Sequence, residues 1–176
     1  MHFFFEKKDS DIKKRIEDII LEKYNQYYRL AYGYVHNEAD AADIVQNGAY
    51  RALKNWRSLR QPEYVQTWIY RIMLNECFRY KENGRLAYEE LTDSMAGENL
   101  QQTDTYEDID LQRALDRLPD ADKAVVILKY YEEKTLEEIA EILDENISTV
   151  KSRLYRSLKK LKAAMQAKPE HSGKCT

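Results

Sequence analysis

Residues 135–162 read TLEEIAEILDENISTVKSRLYRSLKKLK, the pattern of two short helices joined by a tight turn. Thr135 and Glu138 have the spacing of a capping box, in which each side chain binds a free backbone N–H at a helix start. Apolar residues then recur at helical spacing until the polar residues 144–146 interrupt them. The interruption is short, so the two predicted helices must lie close together.

The second helix of this stretch combines an apolar stripe with a basic face. Asn146 or Ser148 can cap its start. The predicted stripe is Val150, Leu154, Leu158 and Leu161. The other faces hold Lys151, Ser152, Arg153, Arg156, Lys159 and Lys160, and no acidic residue occurs between Ile147 and Lys168. This pattern predicts a helix-turn-helix whose second helix enters the DNA major groove. The alternative is a helical hairpin with a solvated basic face. The capping box, the short turn and the basic charge on one side together favour DNA binding.

The composition of the whole chain excludes several classes of protein. The 176 residues carry a net charge of −3, so the chain does not coat nucleic acid through bulk charge. Cys77 and Cys175 lie far apart without metal-ligand spacing, which predicts a reducing cytoplasm and no zinc site or disulfide framework. No apolar run approaches the roughly 20 residues that span a bilayer. The start, MHFFFEKKDSD, lacks the features of a signal peptide.

The order of patterns along the chain predicts an all-α protein made of two small helical modules. Residues 10–86 form the first module and residues 107–165, with the helix-turn-helix, the second. Between them, residues 87–106 are acidic and predict a flexible linker, because residues 87–112 contain eight acidic side chains and no basic one. Residues 166–176 have no packing pattern and predict a disordered tail.

Within the first module the predicted helices end at recognisable signals. A break at His36–Asn37 separates the helical pattern of residues 10–35 from that of residues 38–56. Gly48 weakens the second of these helices by about 1 kcal/mol and can mark a close approach by another backbone. Pro62 can open the next helical turn. That helix runs over residues 63–82, and Asn83–Gly84 is expected to end it.

Residues 51–85 interleave basic and aromatic side chains. Single-stranded nucleic acid is bound by this combination, because aromatic rings stack on unpaired bases while cations follow the backbone. Packing in the core is the alternative for the aromatic residues, and Trp56 and Trp68 are assigned at least partly to it. The preceding helix has an acidic edge over residues 38–47, which suits a protein partner better than phosphate.

Together these motifs resemble bacterial RNA polymerase sigma factors. The matching stretches are YNQYYRLAYGYVHNEADAADIVQNGAYRALKNW (residues 24–56), TWIYRIMLNECFRY (residues 67–80) and LDRLPDADKAVVILKYYEEKTLEEIAEILDENISTVKSRLYRSLKKL (residues 115–161). The chain is similar to the compact extracytoplasmic-function group of the sigma-70 family, which carries only conserved regions two and four. The resemblance covers about residues 24–86 and 110–163.

The resemblance implies a role for each part of the chain. The residues that it implies contact the −35 promoter element are Ser148, Thr149, Lys151, Ser152, Arg153, Arg156 and Lys159. Melting and holding of the −10 element fall to Asn55, Trp56, Arg57, Arg60, Tyr64, Trp68, Arg71, Asn75 and Arg79, with a flipped base held in a pocket. Docking on the clamp coiled coil of the largest polymerase subunit falls to Asp40, Asp43, Ile44, Gln46, Asn47 and Arg51. Asn47 stands where the family usually has Glu, and at the turn Asp144, Asn146 and Ser148 replace the commoner Gly, Pro and Gly.

The resemblance also implies the partners: core RNA polymerase, promoter DNA and an anti-sigma factor, which in this family is often membrane-anchored. Neither a cofactor nor a metal is expected. One rival is a self-sufficient repressor or activator, with residues 10–86 as a dimerisation or ligand domain. The other rival is an enzyme, but the sequence offers no nucleophile–base arrangement, phosphate-binding loop or metal spacing. The histidines His2, His36 and His171 are scattered, and the buried helical position expected for Cys77 favours packing over redox sensing.

Overall fold

All regular secondary structure in the described part of the chain is helical. This computed structural model describes the backbone of residues 2–92 and 106–166 and the side chains of residues 10–84 and 111–166. The helices are α1 (His2–Glu22), α2 (Tyr24–Val35), α3 (Glu38–Lys54), α4 (Val65–Thr92), α5 (Tyr106–Asp116), α6 (Asp120–Tyr130), α7 (Leu136–Leu143) and α8 (Ile147–Gln166), with 3-10 turns at Trp56–Ser58 and Pro62–Tyr64. No strand occurs within these ranges, in agreement with the all-α prediction. Residues 93–105 of the predicted linker and 167–176 of the predicted tail lie outside the described residues.

The break between α2 and α3 occurs where the sequence supplies capping groups, whereas Lys23, between α1 and α2, makes no capping hydrogen bond with its side chain. His36 adopts a left-handed backbone conformation with φ of 52°, and its N–H donates to the Tyr32 carbonyl at 2.9 Å, which closes α2. Asn37 then caps α3, because its Oδ1 accepts the Asp40 N–H at 3.0 Å. The predicted break at His36–Asn37 is therefore confirmed, as is the turn that Pro62 opens.

Helices α3 and α4 are in close contact at Gly48. A Cβ added there would overlap the sulfur of Met73 on α4. The absence of a side chain therefore lets the Met73 side chain pack against the α3 backbone, which compensates for the low helix propensity of glycine. The close approach predicted at this glycine exists, although the neighbour is a side chain rather than a backbone.

The predicted end of α4 at Asn83–Gly84 is wrong. The helix continues through both residues to Thr92, so the predicted linker is helical over residues 87–92. Gly84 is exposed, and the loss of about 1 kcal/mol that it imposes is local. Residues 85–91, RLAYEEL, are mostly strong helix formers, and together they outweigh that loss.

The helix-turn-helix forms from the local signals that predicted it. The Thr135 N–H donates to Glu138 Oε2 at 2.8 Å and the Glu138 N–H donates to Thr135 Oγ1 at 3.1 Å, which completes the capping box. Asp144 ends α7 in the left-handed conformation with φ of 57°. Asn146 caps α8, because its Oδ1 accepts the Thr149 N–H at 2.8 Å. Of the two caps predicted for this helix, Asn146 is the one the structure uses.

The apolar stripe of α8 differs from the prediction at one position. Val150 and Leu161 are buried, but Leu158 is 37% exposed and Ser157 is fully buried instead. Steps of three and four residues alternate along a helix face, so both spacings place a residue near the same seam. The small Ser157 side chain permits close packing where α8 contacts α5 and α6.

The two modules share one apolar core. Buried side chains of α2 and α4 and those of α6, α7 and α8 belong to a single cluster, which includes Leu30, Ile69, Leu128, Ile142 and Val150. At the junction, a Cβ added to Gly33 would lie 3.2 Å from Ile127 Cδ1. The helix-turn-helix is therefore packed directly against the first module, an arrangement that the sequence did not predict.

Candidate nucleic-acid and protein interfaces

The surface of α8 carries most of the side chains predicted to contact duplex DNA. Five of them are exposed: Ser148, Lys151, Ser152, Arg156 and Lys159. Thr149 is half-buried, and its hydroxyl donates to Asn146 Oδ1 at 3.0 Å, so it also helps to fix the start of the helix. Because the exposed surface of α8 is basic, it can neutralise DNA phosphates.

Arg153 is held differently from its neighbours on α8. Its Nε and one terminal nitrogen donate to the two carboxylate oxygens of Glu145, both at 2.9 Å. The other terminal nitrogen donates to Asp122 Oδ1 at 2.8 Å. These hydrogen bonds, that to Glu145 first, raise the pKa of Arg153 above its ordinary value. The three residues form what we call the Asp122–Arg153–Glu145 triad.

One exposed aromatic residue on α8 was not among the predicted DNA contacts. Tyr155 is 73% exposed and lies one turn after Lys151 and Ser152. The sequence contained the signal, since an aromatic residue off the apolar stripe is exposed on an amphipathic helix. Tyr155 adds a ring to a surface that is otherwise polar and basic.

The residues predicted to hold the −10 element lie along the loop after α3 and the first half of α4, and we call them the basic-aromatic strip. Its exposed members are Asn55, Arg57, Arg60, Tyr64, Asn75 and Arg79. Trp68 is half-buried. Tyr64, Trp68 and Arg60 line a groove of about 560 Å³, which has room for a stacked or flipped base. Arg79 also lies 3.5 Å from Glu76 Oε1.

Trp56 belongs mainly to the core rather than to the surface of this strip. It is 9% exposed and packs in the main apolar cluster. The Arg57 guanidinium lies 5.0 Å from its ring centroid and the Lys13 ammonium 5.6 Å, so cations cover the remaining face. The predicted packing role of Trp56 is confirmed.

Arg71 of the strip contacts the helix-turn-helix. Its Nε lies 3.0 Å from the Glu141 carbonyl oxygen and 3.1 Å from that of Ile142, and a terminal nitrogen also donates to the former. The same terminal nitrogen lies 3.4 Å from Asp144 Oδ1. These carbonyls belong to the last turn of α7, where a cation is favoured by the helix dipole. Glu141 also forms one wall of the 560 Å³ groove, so the second module closes over one end of the strip.

Only some of the residues predicted to dock on polymerase are exposed. Asp43, Gln46 and Asn47 are exposed on one side of α3, whereas Ile44 is buried in the core. The remaining two have partners on α4. Arg51 Nε lies 2.6 Å from Glu76 Oε1, and a hydrogen bond with Asp40 raises the pKa of Tyr80 to about 12. The exposed patch therefore centres on residues 43–47, and Asp40 and Arg51 fix α3 to α4.

Polar contacts reinforce the junction between the modules. The Tyr70 hydroxyl donates to Glu132 Oε2 at 3.1 Å, and Arg29 lies 3.7 Å from the other oxygen of that carboxylate. Burial raises the pKa of Glu132 above its ordinary value. Near the other end of the junction, Lys81 Nζ lies 2.6 Å from Asp120 Oδ1.

A second contact pair flanks the junction at the end of α2. His36 Nε2 lies 3.1 Å from Asp116 Oδ2, and the buried Lys123 ammonium lies 2.7 Å from Asp116 Oδ1. Beside this pair, Tyr28, Tyr32 and residues of α5 and α6 line an apolar groove of about 380 Å³. Both modules therefore contribute to its walls.

The described residues carry neither a metal centre nor a membrane span. Among the described side chains, no group of three His, Cys, Asp or Glu residues is placed to hold a metal ion. Cys77 is buried, and burial raises the pKa of its thiol to about 12. None of the helices in the described ranges is long and apolar enough to cross a membrane. Cys175, His2 and His171 lie outside the described side chains.

In comparisons with known proteins, both modules match conserved regions of the same family. Residues 19–85 match the family Sigma-70 region 2, and residues 108–161 match Sigma-70, region 4. The chain is 38% identical over 156 residues to the RNA polymerase sigma factor SigV of Bacillus subtilis, covering 87% of this chain and 92% of that protein. It is 30% identical to the ECF RNA polymerase sigma factor SigE of Mycolicibacterium smegmatis, covering 83% of this chain and 60% of that protein. The fold resembles that of the sigma factor RpoE from Bartonella quintana, crystallised with the anti-sigma factor NepR, with a TM-score of 0.64 at 21% identity over 88% of this chain and 99% of that one.

Proposed function

Because the chain belongs to the extracytoplasmic-function group of the sigma-70 family and acts in promoter-specific transcription initiation, we propose that its two modules divide promoter recognition between them. Residues 10–86 bind core polymerase and the −10 element, and residues 107–165 bind the −35 element. The connecting segment falls within residues 87–106. The observation that carries the proposal is the exposed basic surface of α8 on a capped helix-turn-helix.

We propose that α8 lies in the major groove of the −35 element. Its exposed residues Ser148, Lys151, Ser152, Arg156 and Lys159, with Thr149 at the helix start, supply donors for base edges and cations for phosphates. The net charge of −3 predicts that the free protein binds duplex promoter DNA weakly. Polymerase core must therefore contribute most of the affinity of the complex.

We propose that the basic-aromatic strip holds the opened −10 element. Tyr64 and Trp68 offer stacking faces beside Arg60, and the groove between them accommodates a base taken out of the duplex. The protein performs no covalent chemistry in this scheme. Strand opening is driven by differential binding, because a surface that binds unpaired bases better than paired ones shifts the equilibrium towards the open form.

Polymerase docking is assigned to the exposed patch on α3. Asp43, Gln46 and Asn47 are available to a protein partner. Asp40 and Arg51, which hydrogen bond or pair with residues of α4, fix the orientation of this patch, and the buried Ile44 anchors it in the core. The amide of Asn47 carries no charge, so the contact made here is neutral where the family usually places Glu.

The two promoter elements cannot be bound at the same time while the modules are packed as described. Arg71 contacts residues 141, 142 and 144, and α8 begins at Ile147, so the −10 and −35 surfaces are adjacent. The centres of the two elements are about 25 base pairs apart, which is about 85 Å of B-DNA. We infer that the junction opens on the way to the promoter complex, and that the packed arrangement belongs to the protein outside that complex.

An anti-sigma protein is the proposed regulatory partner, and the cytoplasm, where polymerase works, is the proposed location. The structural neighbour RpoE was crystallised with the anti-sigma factor NepR, which motivates the assignment. A partner that contacts both modules, for example at the apolar groove of about 380 Å³, would hold the junction closed. Such a partner would compete with the opening that promoter binding requires.

Run-off transcription with purified core polymerase on a library of promoter fragments tests the proposal. The expected result is a set of specific transcripts that require the protein and that disappear in the Asp43→Ala variant. The matched control is Asp18→Ala, which removes an exposed acid of α1 outside the patch and is expected to leave the transcripts in place. If no transcript appears, and the protein alone shifts duplex DNA as a dimer, the repressor hypothesis replaces this one.

A further inference from the structure

We propose that Arg153 is a positioning residue rather than a DNA contact: held between Glu145 and Asp122, it sets the angle at which α8 presents its exposed residues to the −35 element. This inference rests on the proposed function of α8. Arg153 thereby has a different role from the other residues of the predicted set, and two acidic residues outside that set take part in DNA recognition.

Three of the five N–H groups of Arg153 donate to carboxylates of the protein itself. Guanine and phosphate are bound best by two parallel N–H donors on one edge of the guanidinium. In this structure the edge formed by Nε and one terminal nitrogen is bidentate to Glu145, with both distances 2.9 Å. The remaining terminal nitrogen is already bound to Asp122 at 2.8 Å. One N–H on each terminal nitrogen remains, so no acceptor on DNA can use the edge that is bound to Glu145.

The charge of the triad also opposes a DNA contact. One guanidinium and two carboxylates sum to −1, so the group does not attract a phosphate. Asp122 is 5% exposed and lies in the first turn of α6, where the helix dipole favours a negative charge. Releasing Arg153 to DNA would leave this buried carboxylate without its cation, which is strongly unfavourable.

The triad connects three elements that together determine the position of α8. Asp122 belongs to α6, Glu145 to the turn before α8, and Arg153 to the second turn of α8 itself. A bidentate contact to a base tolerates misplacement of only about 0.5 Å and 10–20°. A small rotation of α8 about its packed face would therefore disturb all of its exposed residues at once.

Two substitutions separate positioning from direct contact. Arg153→Lys keeps the positive charge, which suffices for a phosphate contact, but it cannot reproduce the fork that spans Glu145 and Asp122. Asp122→Asn removes a negative charge near the DNA surface, which by charge alone strengthens DNA binding. Positioning predicts that both variants impair −35 recognition. A direct phosphate contact predicts that neither does, and a direct guanine contact predicts a loss in Arg153→Lys but none in Asp122→Asn.

The experiment measures holoenzyme assembled from core polymerase and the full chain. The readout is −35 discrimination, defined as transcript from a promoter with its −35 element divided by transcript from the same promoter with that element replaced. The variants are Arg153→Lys, Asp122→Asn and Glu145→Gln. Glu137→Gln, which removes an exposed acid from α7, is the control for charge. Circular dichroism and urea unfolding check that each variant is folded.

The expected result is a loss of −35 discrimination of about tenfold in all three triad variants and no loss in Glu137→Gln. The double variant Arg153→Lys/Glu145→Gln should be no worse than the worse single variant, because both act through one contact. The salt dependence of promoter binding supplies an independent readout. Lys159→Ala should lower the slope of log K against log salt by about one, and Arg153→Ala should leave it unchanged.

The proposal is overturned if Arg153→Lys retains full discrimination, or if Asp122→Asn and Glu145→Gln match Glu137→Gln. A fall in the salt slope of about one in an Arg153→Ala variant would likewise identify a direct phosphate contact. Failure of the proposed function has a different signature, because the unmodified chain would then show no −35 discrimination at all.

Discussion

The two surfaces proposed to bind DNA differ in how far the rest of the protein covers them. The surface of α8 is open to solvent, and its cations Lys151, Arg156 and Lys159 are exposed. The basic-aromatic strip is partly covered, because Arg71 is bound to the end of α7 and Glu141 closes one side of the groove. One surface is ready for DNA and the other must first be uncovered. Under the proposed function, separation of the modules therefore controls access to the −10 surface more than access to the −35 surface.

The largest effect is expected where apolar packing holds the two surfaces together. Ile127 is buried and packs against α2 at Gly33, so Ile127→Ala should lower the free energy of unfolding by about 2–5 kcal/mol. It should also accelerate hydrogen exchange in residues 65–84 of α4. Urea unfolding and hydrogen exchange measure these effects. Leu161→Ala, a core change within the second module, should lower stability without the selective change in α4; equal exchange in both variants would contradict the account.

The next effect concerns the open surface. Arg156→Ala removes an exposed cation proposed to contact the −35 element, and transcription that depends on this element should fall about 10- to 100-fold. Run-off transcription with holoenzyme measures the fall. Lys162→Ala removes an exposed cation from the same helix outside the proposed set, and it should change the yield by less than about twofold. Similar losses in the two variants would mean that only bulk charge matters.

A smaller effect is expected at the contact that covers the strip. Arg71→Ala removes hydrogen bonds to two carbonyls of α7, but the Arg71 side chain is 40% exposed, so the loss after solvent screening is about 1 kcal/mol. Asp144→Asn disturbs only the longer contact at 3.4 Å and should have an effect below about 0.5 kcal/mol. Urea unfolding compares the two. Equal effects would show that the carbonyl contacts contribute nothing.

The smallest effect is a pH dependence at the junction. Because burial raises the pKa of Glu132, the folded protein binds that proton more readily than the unfolded chain, and acidification adds stability through this group. Arg29, Lys134 and the Tyr70 hydroxyl face the carboxylate and limit the shift. Between pH 7 and pH 5 the unmodified protein should therefore gain stability relative to Glu132→Gln. A difference in stability between the two proteins that stays constant from pH 7 to pH 5 would show that Glu132 does not cause a pH dependence.

What the sequence predicted well was local. The capping box at Thr135, the cap at Asn146 and the break at His36 each depend on residues within four positions of one another. Such signals are complete in a short stretch of sequence. The same holds for the exposed basic surface of α8, which follows from one amphipathic pattern. The helix-turn-helix could therefore be predicted from residues 135–162 alone.

The features that the sequence did not predict depend on contacts between residues far apart in the chain, or on small differences in free energy. The contacts of Arg71 with residues 141–144 and of Arg153 with Asp122 join residues that are about 70 and 31 positions apart, and nothing in either stretch specifies the partner. Arg153 looked like any other cation of α8 for this reason. At Asn83–Gly84 the stop signal was real but weak, and the helix formers that follow it prevailed.

The most direct test of the account is the distance between the two DNA surfaces in the free protein and in the promoter complex. Dyes on Glu63→Cys and Lys160→Cys, in a Cys175→Ser background, report it by single-molecule energy transfer; the thiol of Cys77 is buried and stays unlabelled. From the rise of 1.5 Å per helical residue, the free protein should give a separation below about 50 Å. The holoenzyme–promoter complex should give one near 85 Å, set by about 25 base pairs of DNA. The same short distance in both states would contradict the opening that the account requires.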